Sequence, residues 1–215
     1  MKADELARLA ELGVATIYEA SGREGLLDLP LIQLLPASRA AGPARTVLCG
    51  QDDNLMVHAA IERIQPGEVL VLTMPEPRPI ALVGELLATQ VKVRGAAAIL
   101  IDAAVRDAEE LQKLGLPIWA RFIRAKGASK TVLGETDVPV VMGGTRIAPG
   151  DIVVLDADGA VCIQGGRAGD VLTAAEARCE RETRLREKLM AGAMSYDLHG
   201  LREYVEMNRR KQDAC

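Results

Sequence analysis

Two runs in this 215-residue chain carry groups that could do chemistry together. The first is Gly84-Glu85-Leu86-Leu87-Ala88-Thr89, and the second is Ile99-Leu100-Ile101-Asp102-Ala103-Ala104-Val105-Arg106-Asp107. Gly84 precedes a helix start, so the amides of Glu85, Leu86 and Leu87 are expected to be free donors at the helix's N-terminal end, which is a ready anion site. An apolar strand over 97–101 runs out into Arg106-Asp107, where the next helix should begin. Ligands of α/β sheets collect at the carboxyl ends of strands. The amides would hold a substrate carboxylate. Asp107 would offer an oxygen to a hard cation, and Arg106 would steady an oxygen that becomes negative during reaction. The competing reading makes Asp107 an N-cap of the following helix, paired with Arg106.

Other chemical candidates are weaker. Gly143-Gly144 and Gly165-Gly166-Arg167-Ala168-Gly169 match neither a phosphate-binding P-loop nor a dinucleotide fingerprint, and read as turns. His58 lies in mid-helix with no triad pattern and reads as structural, and His199 sits in a polar tail. Cys49, Cys162, Cys179 and Cys215 are far apart with no CxxC, which argues against a disulfide scaffold and a structural zinc site. With two histidines in all, any metal would be held by oxygens, pointing to Mg²⁺ or Mn²⁺.

Composition narrows the function classes. The net charge is −4 with acids and bases interleaved, so no basic stripe marks a nucleic-acid surface. Aromatics are 2% of the chain, too few for stacking platforms. No apolar run approaches the ~20 residues of a membrane span. Met1-Lys2-Ala3-Asp4-Glu5 lacks the order of a secretory signal, and a reducing cytoplasm is the simplest compartment.

The elements that must position these groups are legible in outline. Leu6, Leu9, Ala10 and Leu12 share a helix face that ends at Gly13, and a short helix follows at 15–20. Pro30, Pro36 and Pro43 mark an irregular stretch before a strand at 45–49. Asp53 or Asn54 caps a helix that stops at Gln65-Pro66-Gly67. Glu68–Leu72 reads as a strand buried on both faces. Pro75-Glu76-Pro77-Arg78-Pro79 is a stiff exposed loop. A helix spans 85–94, a strand 97–101, a helix 108–114 and a strand 117–122. Strands and turns fill 130–163, with a hairpin turn at Asp156-Ala157-Asp158-Gly159. Long helices follow at 170–191 and 196–211.

The chain resembles the class II pyruvate aldolases that cleave 4-hydroxy-4-methyl-2-oxoglutarate and 4-carboxy-4-hydroxy-2-oxoadipate, in a superfamily that also holds the regulator of ribonuclease activity A. The resemblance begins at Gly13-Val14-Ala15-Thr16-Ile17-Tyr18-Glu19-Ala20. It continues through the two runs above, Val138-Pro139-Val140, Pro149-Gly150-Asp151-Ile152-Val153-Val154 and Asp156–Gly159, to Tyr196-Asp197-Leu198. The family's signature is an acid, twenty intervening residues, then Arg-Asp, and Glu85 with Arg106-Asp107 matches it. Some members carry Asp where this chain has Glu85.

The resemblance implies a single-domain α/β protein of the swivelling β/β/α layered type. Residues 1–168 would form the catalytic domain and 169–215 a C-terminal helical extension packing on a neighbouring subunit of a homotrimer or homohexamer. It implies that Asp107 ligates Mg²⁺, with Mn²⁺ or another divalent cation as a substitute, and that the 2-oxo acid chelates the metal. Amides of Gly84–Leu87 would bind the carboxylate. Arg106 would face the keto oxygen, and Glu85 would hold or activate a proton-carrying water. Glu19 and Glu182 are candidates for acids contributed across a subunit boundary. On its own Glu182 reads as part of a charged helix face, with Glu180 and Glu187 close by. Oxaloacetate decarboxylation passes through the same enolate, so one site would perform both reactions. No Schiff-base lysine sits in the signature, and Lys92 is in mid-helix. The alternatives are a non-catalytic protein-binding regulator of a ribonuclease, which lacks the full acidic set, and a lyase for another 2-oxo acid. Some members are labelled menaquinone methyltransferases, but nothing here resembles the nucleotide loop that such an enzyme would be expected to use. The family's usual setting is the breakdown of aromatic acids.

Overall fold

A computed structural model describes residues 1–213. They form two compact units, Met1–Ala175 and the residues from Glu176 onward. The elements are α1 (Ala3–Ala20), β1 (Ile32–Gln33), β2 (Ala40–Leu48), α2 (Leu55–Arg63), β3 (Val69–Thr73), β4 (Ala81–Val83), α3 (Glu85–Val93), β5 (Ala98–Val105), α4 (Ala108–Leu114), β6 (Ile118–Ile123), β7 (Glu135–Thr136), β8 (Val140–Met142), β9 (Thr145–Ile147), β10 (Ile152–Asp156), β11 (Gly159–Ile163), α5 (Ala168–Met190), α6 (Ser195–Leu198) and α7 (Leu201–Asp213).

α1 is two helical pieces joined at Gly13, as the sequence suggests, but the reason is tertiary. Gly13 has φ +80° and is not helical. The turn lets the Val14 N–H donate to Asp156 Oδ2 at 2.9 Å, and a Cβ on Gly13 would lie 2.7 Å from that oxygen. Glycine alone satisfies both the backbone angle and the close approach.

Nine strands form one sheet with the path β1-β6-β5-β3-β2-β10-β11, β4 lying beside β5 and β7 beside β2. The β2-β3-β5-β6 portion is parallel, and β10 adds antiparallel to β2 and β11. The sheet is therefore mixed, as the α/β class allows. Alternation along β3 serves two cores. Leu70 and Leu72 face α2, α3 and α4 through Val57, Ile61, Leu87, Val91 and Leu111, while Val69 and Val71 face Leu100, Trp119, Val153 and Leu155. Trp119 is fully buried, and its Nε1–H donates to the Asp156 carbonyl at 2.8 Å. β6 and β10 are separated by three strands in the sheet order, so this bond requires the sheet to curl around its second core. A third cluster packs α1 and the start of α5 on β10 and β11.

Several boundaries move. β2 starts at Ala40 and contains Pro43. Ala44, not Pro43, bonds to Asp151 across the β10 ladder, so the missing N–H removes no bond there. β5 runs on to Val105, reaching Arg106 directly. β4 is a further strand, too short for periodicity to reveal. The expected helix over 196–211 is two helices, split at Gly200 with φ +66°. Pro75–Pro79 is the exposed loop expected. Cys49, Cys162 and Cys179 are free thiols, and Cys215 lies outside the described residues.

Candidate active site

β4 and β5 are parallel neighbours in register Ala81↔Ala104 and Val83↔Val105. They therefore end side by side, delivering Gly84 and Arg106 to one edge of the sheet. The Arg106 N–H donates to the Val83 carbonyl at 3.1 Å and fixes that arrangement. The two sequence runs meet because the strands before them pair.

Asp107 has φ +58°, in the left-handed region. It occupies the N-cap position of α4 yet makes no capping hydrogen bond with its side chain. This corrects the side-chain capping of the competing reading, because the carboxylate turns to the start of α3 instead, while the pairing with Arg106 stands. Oδ2 accepts the Glu85 N–H at 3.1 Å and lies 3.6 Å from Arg106 Nε. A left-handed non-glycine residue costs about 1 kcal/mol, and such strain gathers at functional sites. The Glu85 amide is thus engaged, which corrects the expectation of three free donors. The amides of Leu86 and Leu87 do remain free, since the first helical bond of α3 is Ala88 N–H to the Gly84 carbonyl. The Glu85 carboxylate accepts the Thr89 hydroxyl at 3.0 Å.

Gly84 is required by space rather than by angle. A Cβ there would lie 2.5 Å from Asp107 Oδ2 and 2.9 Å from Arg106 Nε. Gly84→Ala is therefore expected to leave the melting temperature nearly unchanged. Displacing the two side chains should lower kcat/KM by about 10- to 100-fold, since small misplacements cost that much. Steady-state kinetics beside a thermal melt check it.

A cavity of about 280 Å³ opens on these groups, lined by Gly84, Glu85, Leu86, Leu87, Arg106 and Asp107. It is at the small end of ligand sites, a size for a short acid. Asn54, His58, Gln90 and Lys130 line it as well. Sequence reasoning missed these four. His58, read as structural, is exposed on the cavity wall. The only available signal was that Asn54 and His58 are four apart, one turn of a helix. Lys130 comes from an irregular loop and gave none. The Pro75–Pro79 loop does not line this cavity.

Glu19 pairs with Arg23 at 3.2 Å on α1 and is not among the cavity's lining. Glu182 pairs with Arg178 at 2.8 Å within the second unit. The role expected of both concerns a neighbouring subunit.

Behind the cavity wall lies Asp53, which is fully buried. Burial pushes its carboxyl up, but hydrogen bonds from Ser129 Oγ and the amides of Leu55, Thr131 and Val132 outweigh this and hold it down at about 2. A carboxyl depressed in the folded state stabilises the fold above its unfolded value of 3.8, and that contribution is lost as pH falls through about 2. Urea unfolding at stepped pH should show stability falling between about pH 4 and 2, and the fall should be shallower in Asp53→Asn.

Among the described residues no group of three or more acids, histidines or cysteines could cage a metal. Among the described residues Asp107 Oδ1 has no hydrogen-bond partner, leaving one carboxylate oxygen free beside the cavity. That donor set fits a cation such as Mg²⁺, which commonly takes one carboxylate and fills its shell with water and substrate.

Comparison with known proteins gives a consistent family. Residues 14–162 match the family described as RraA-like, Aldolase/RraA. The chain is similar to a Halalkalibacterium halodurans protein named "Putative 4-hydroxy-4-methyl-2-oxoglutarate aldolase", with 33% identity over 168 residues and 78% of each chain covered. It is similar to the structure of Streptomyces coelicolor RraAS2, described as an unusual member of the RNase ES inhibitor RraA protein family. Identity there is 30%, coverage 86% of this chain and 97% of that one, and the TM-score 0.75. A Geobacillus kaustophilus structure named S-adenosylmethionine: 2-dimethylmenaquinone methyltransferase shares 31% identity, with 70% and 93% coverage and a TM-score of 0.65.

Proposed function

The chain belongs to the RraA-like, Aldolase/RraA family, and on that premise we propose that it is a divalent-metal-dependent pyruvate aldolase. It would cleave 4-hydroxy-4-methyl-2-oxoglutarate or 4-carboxy-4-hydroxy-2-oxoadipate to pyruvate and a second 2-oxo acid, and decarboxylate oxaloacetate at the same site. The observation that carries the reading is the left-handed Asp107, whose carboxylate turns to the N-terminal end of α3 beside Arg106.

The substrate's C1 carboxylate would sit on the free Leu86 and Leu87 amides, where the helix end favours an anion. The Arg106 guanidinium would face the C2 keto oxygen. Cleavage breaks the C3–C4 bond. The C4 hydroxyl gives up its proton and becomes a carbonyl, and the bonding pair moves into the pyruvate fragment as an enolate. Arg106 would stabilise the charge on the enolate oxygen. Glu85, oriented by Thr89, would move the hydroxyl proton to C3, completing pyruvate. In oxaloacetate the C3–C4 bond breaks with loss of CO₂, and the proton that reaches C3 would come from solvent through Glu85. Lys130 gives the cavity a second cation for the substrate's other carboxylate. A divalent cation held by Asp107 would, when bound, act as a Lewis acid at the keto group.

The test is pyruvate release from oxaloacetate and from both aldol substrates, with Mg²⁺ or Mn²⁺ and with EDTA. Turnover above free metal that EDTA abolishes supports the proposal. Wild type no faster than free metal sinks it. The name of the Streptomyces relative favours a second reading, a protein-binding regulator of a ribonuclease. An inactive chain that co-purifies with a ribonuclease would support that reading. A homo-oligomer, trimer or hexamer, is part of the proposal, and light scattering reads it.

A further inference from the structure

We infer that Asp53 is a positioning residue for the candidate site: its buried carboxylate fixes the 126–132 segment as a shelf under the Arg106 guanidinium. The inference rests on the proposed role of Arg106.

The segment contains no helix and no strand; its backbone is bridged at Ala81↔Gly127, where Ala81 N–H donates to the Lys126 carbonyl at 2.8 Å and Ala128 N–H to the Ala81 carbonyl at 3.3 Å, and at Asp53↔Ser129. Beyond Ala128, three of its donors converge on one oxygen. Asp53 Oδ2 accepts Ser129 Oγ–H at 2.6 Å, the Thr131 N–H at 2.6 Å and the Val132 N–H at 3.0 Å. Asp53 Oδ1 accepts the Leu55 N–H at 2.7 Å, which ties the segment to the first turn of α2. The adjoining Asn54 donates its N–H to the Ser129 carbonyl and its side-chain amide to the Leu82 carbonyl, one residue before the Val83 carbonyl that holds Arg106.

On its other side the segment presents Gly127. A Cβ there would lie 2.8 Å from Arg106 Nη1, so the guanidinium rests against this backbone. The Arg106 side chain is 51% exposed and its ion pair with Asp107 is long, at 3.6 Å. A flexible arm so weakly held depends on the surface beneath it. Ala128 and Lys130, from the same segment, line the cavity.

Three donors on one oxygen call for an anion. Asn in place of Asp53 would set its NH₂ against either the Leu55 N–H or the three segment donors. The fold would be weakened, and the shelf would be released.

The test is a double-mutant cycle on the full chain with Mg²⁺ and oxaloacetate: wild type, Asp53→Asn, Arg106→Ala and the double variant, each assayed well below its melting temperature. Asp53→Asn should lower kcat at least about tenfold with KM changed less than about threefold. The double variant should match Arg106→Ala within about twofold, because one residue acts through the other. A wild-type kcat per folded molecule, or two effects that multiply, overturns the inference, and a merely structural Asp53 gives one of those results. If Asp53→Asn does not fold, Ser129→Ala takes its place, with a loss of about threefold that must vanish in the Arg106→Ala background. If wild type has no turnover, the proposed function fails and amide hydrogen exchange decides. Exchange over 127–132 at least about tenfold faster in the variant, with β3 unchanged, supports the inference, and equal exchange overturns it.

Discussion

Asp107→Asn is expected to cut pyruvate formation from oxaloacetate by about 10³-fold while leaving the fold intact. Asparagine tolerates the left-handed backbone at 107 at least as well as aspartate. Its side-chain oxygen can still accept the Glu85 N–H that Oδ2 accepts at 3.1 Å. What is lost is the negative charge and the free Oδ1, the features that fit a hard cation. The loss corresponds to about 4 kcal/mol of transition-state stabilisation. Two measurements decide the origin of the effect. Circular dichroism and melting should match wild type, and Mn²⁺ binding followed by its paramagnetic signal should weaken in parallel with turnover. A variant that keeps turnover within tenfold of wild type would remove Asp107 from the chemistry. One that loses turnover but binds Mn²⁺ as wild type does would make Asp107 important for another reason.

Arg106→Ala is expected to lower kcat by about 10² to 10³, the range for removing one donor to a developing oxyanion. KM should move far less, because the C1 carboxylate is assigned to the Leu86 and Leu87 amides. That split separates transition-state stabilisation from substrate holding. Arg106→Lys should recover little. The guanidinium is a flat fork that lies between Gly84 and Gly127, close enough that a Cβ at either glycine would come within 3 Å of it. An ammonium is a point charge on a flexible stem and cannot reproduce that placement. A large rise in KM with kcat unchanged would move Arg106 to carboxylate binding and reassign the amides.

His58 reads as structural because nothing local sets its helix against a cavity. The structure exposes it there, one turn from Asn54. The free amides of α3 are two and not three, because Asp107, twenty-two residues from Glu85, claims the first. Asp53 is a candidate cap in the sequence and does hold the Leu55 N–H, but its three contacts with residues 129–132 come from more than seventy residues away. The resemblance puts Glu19 and Glu182 across a subunit boundary, and within the chain they pair with Arg23 and Arg178.

The sequence by itself determined most of the helices and the long strands and named the residues of the candidate site. Gly13, Gly95 and Gly115 end helical segments, the run 69–72 is a strand buried on both faces, and an acid, an arginine and an aspartate stand at a fixed spacing. These are local properties, written in turn chemistry and hydrophobic runs. Tertiary structure alone decided how they meet. β4 is three residues long and has no periodicity to betray it, yet its pairing with β5 sets Gly84 beside Arg106. The left-handed turn at 107 aims a carboxylate at a helix end instead of capping its own. Both depend on contacts between segments distant in the chain, and a side chain's direction is fixed by what it packs against.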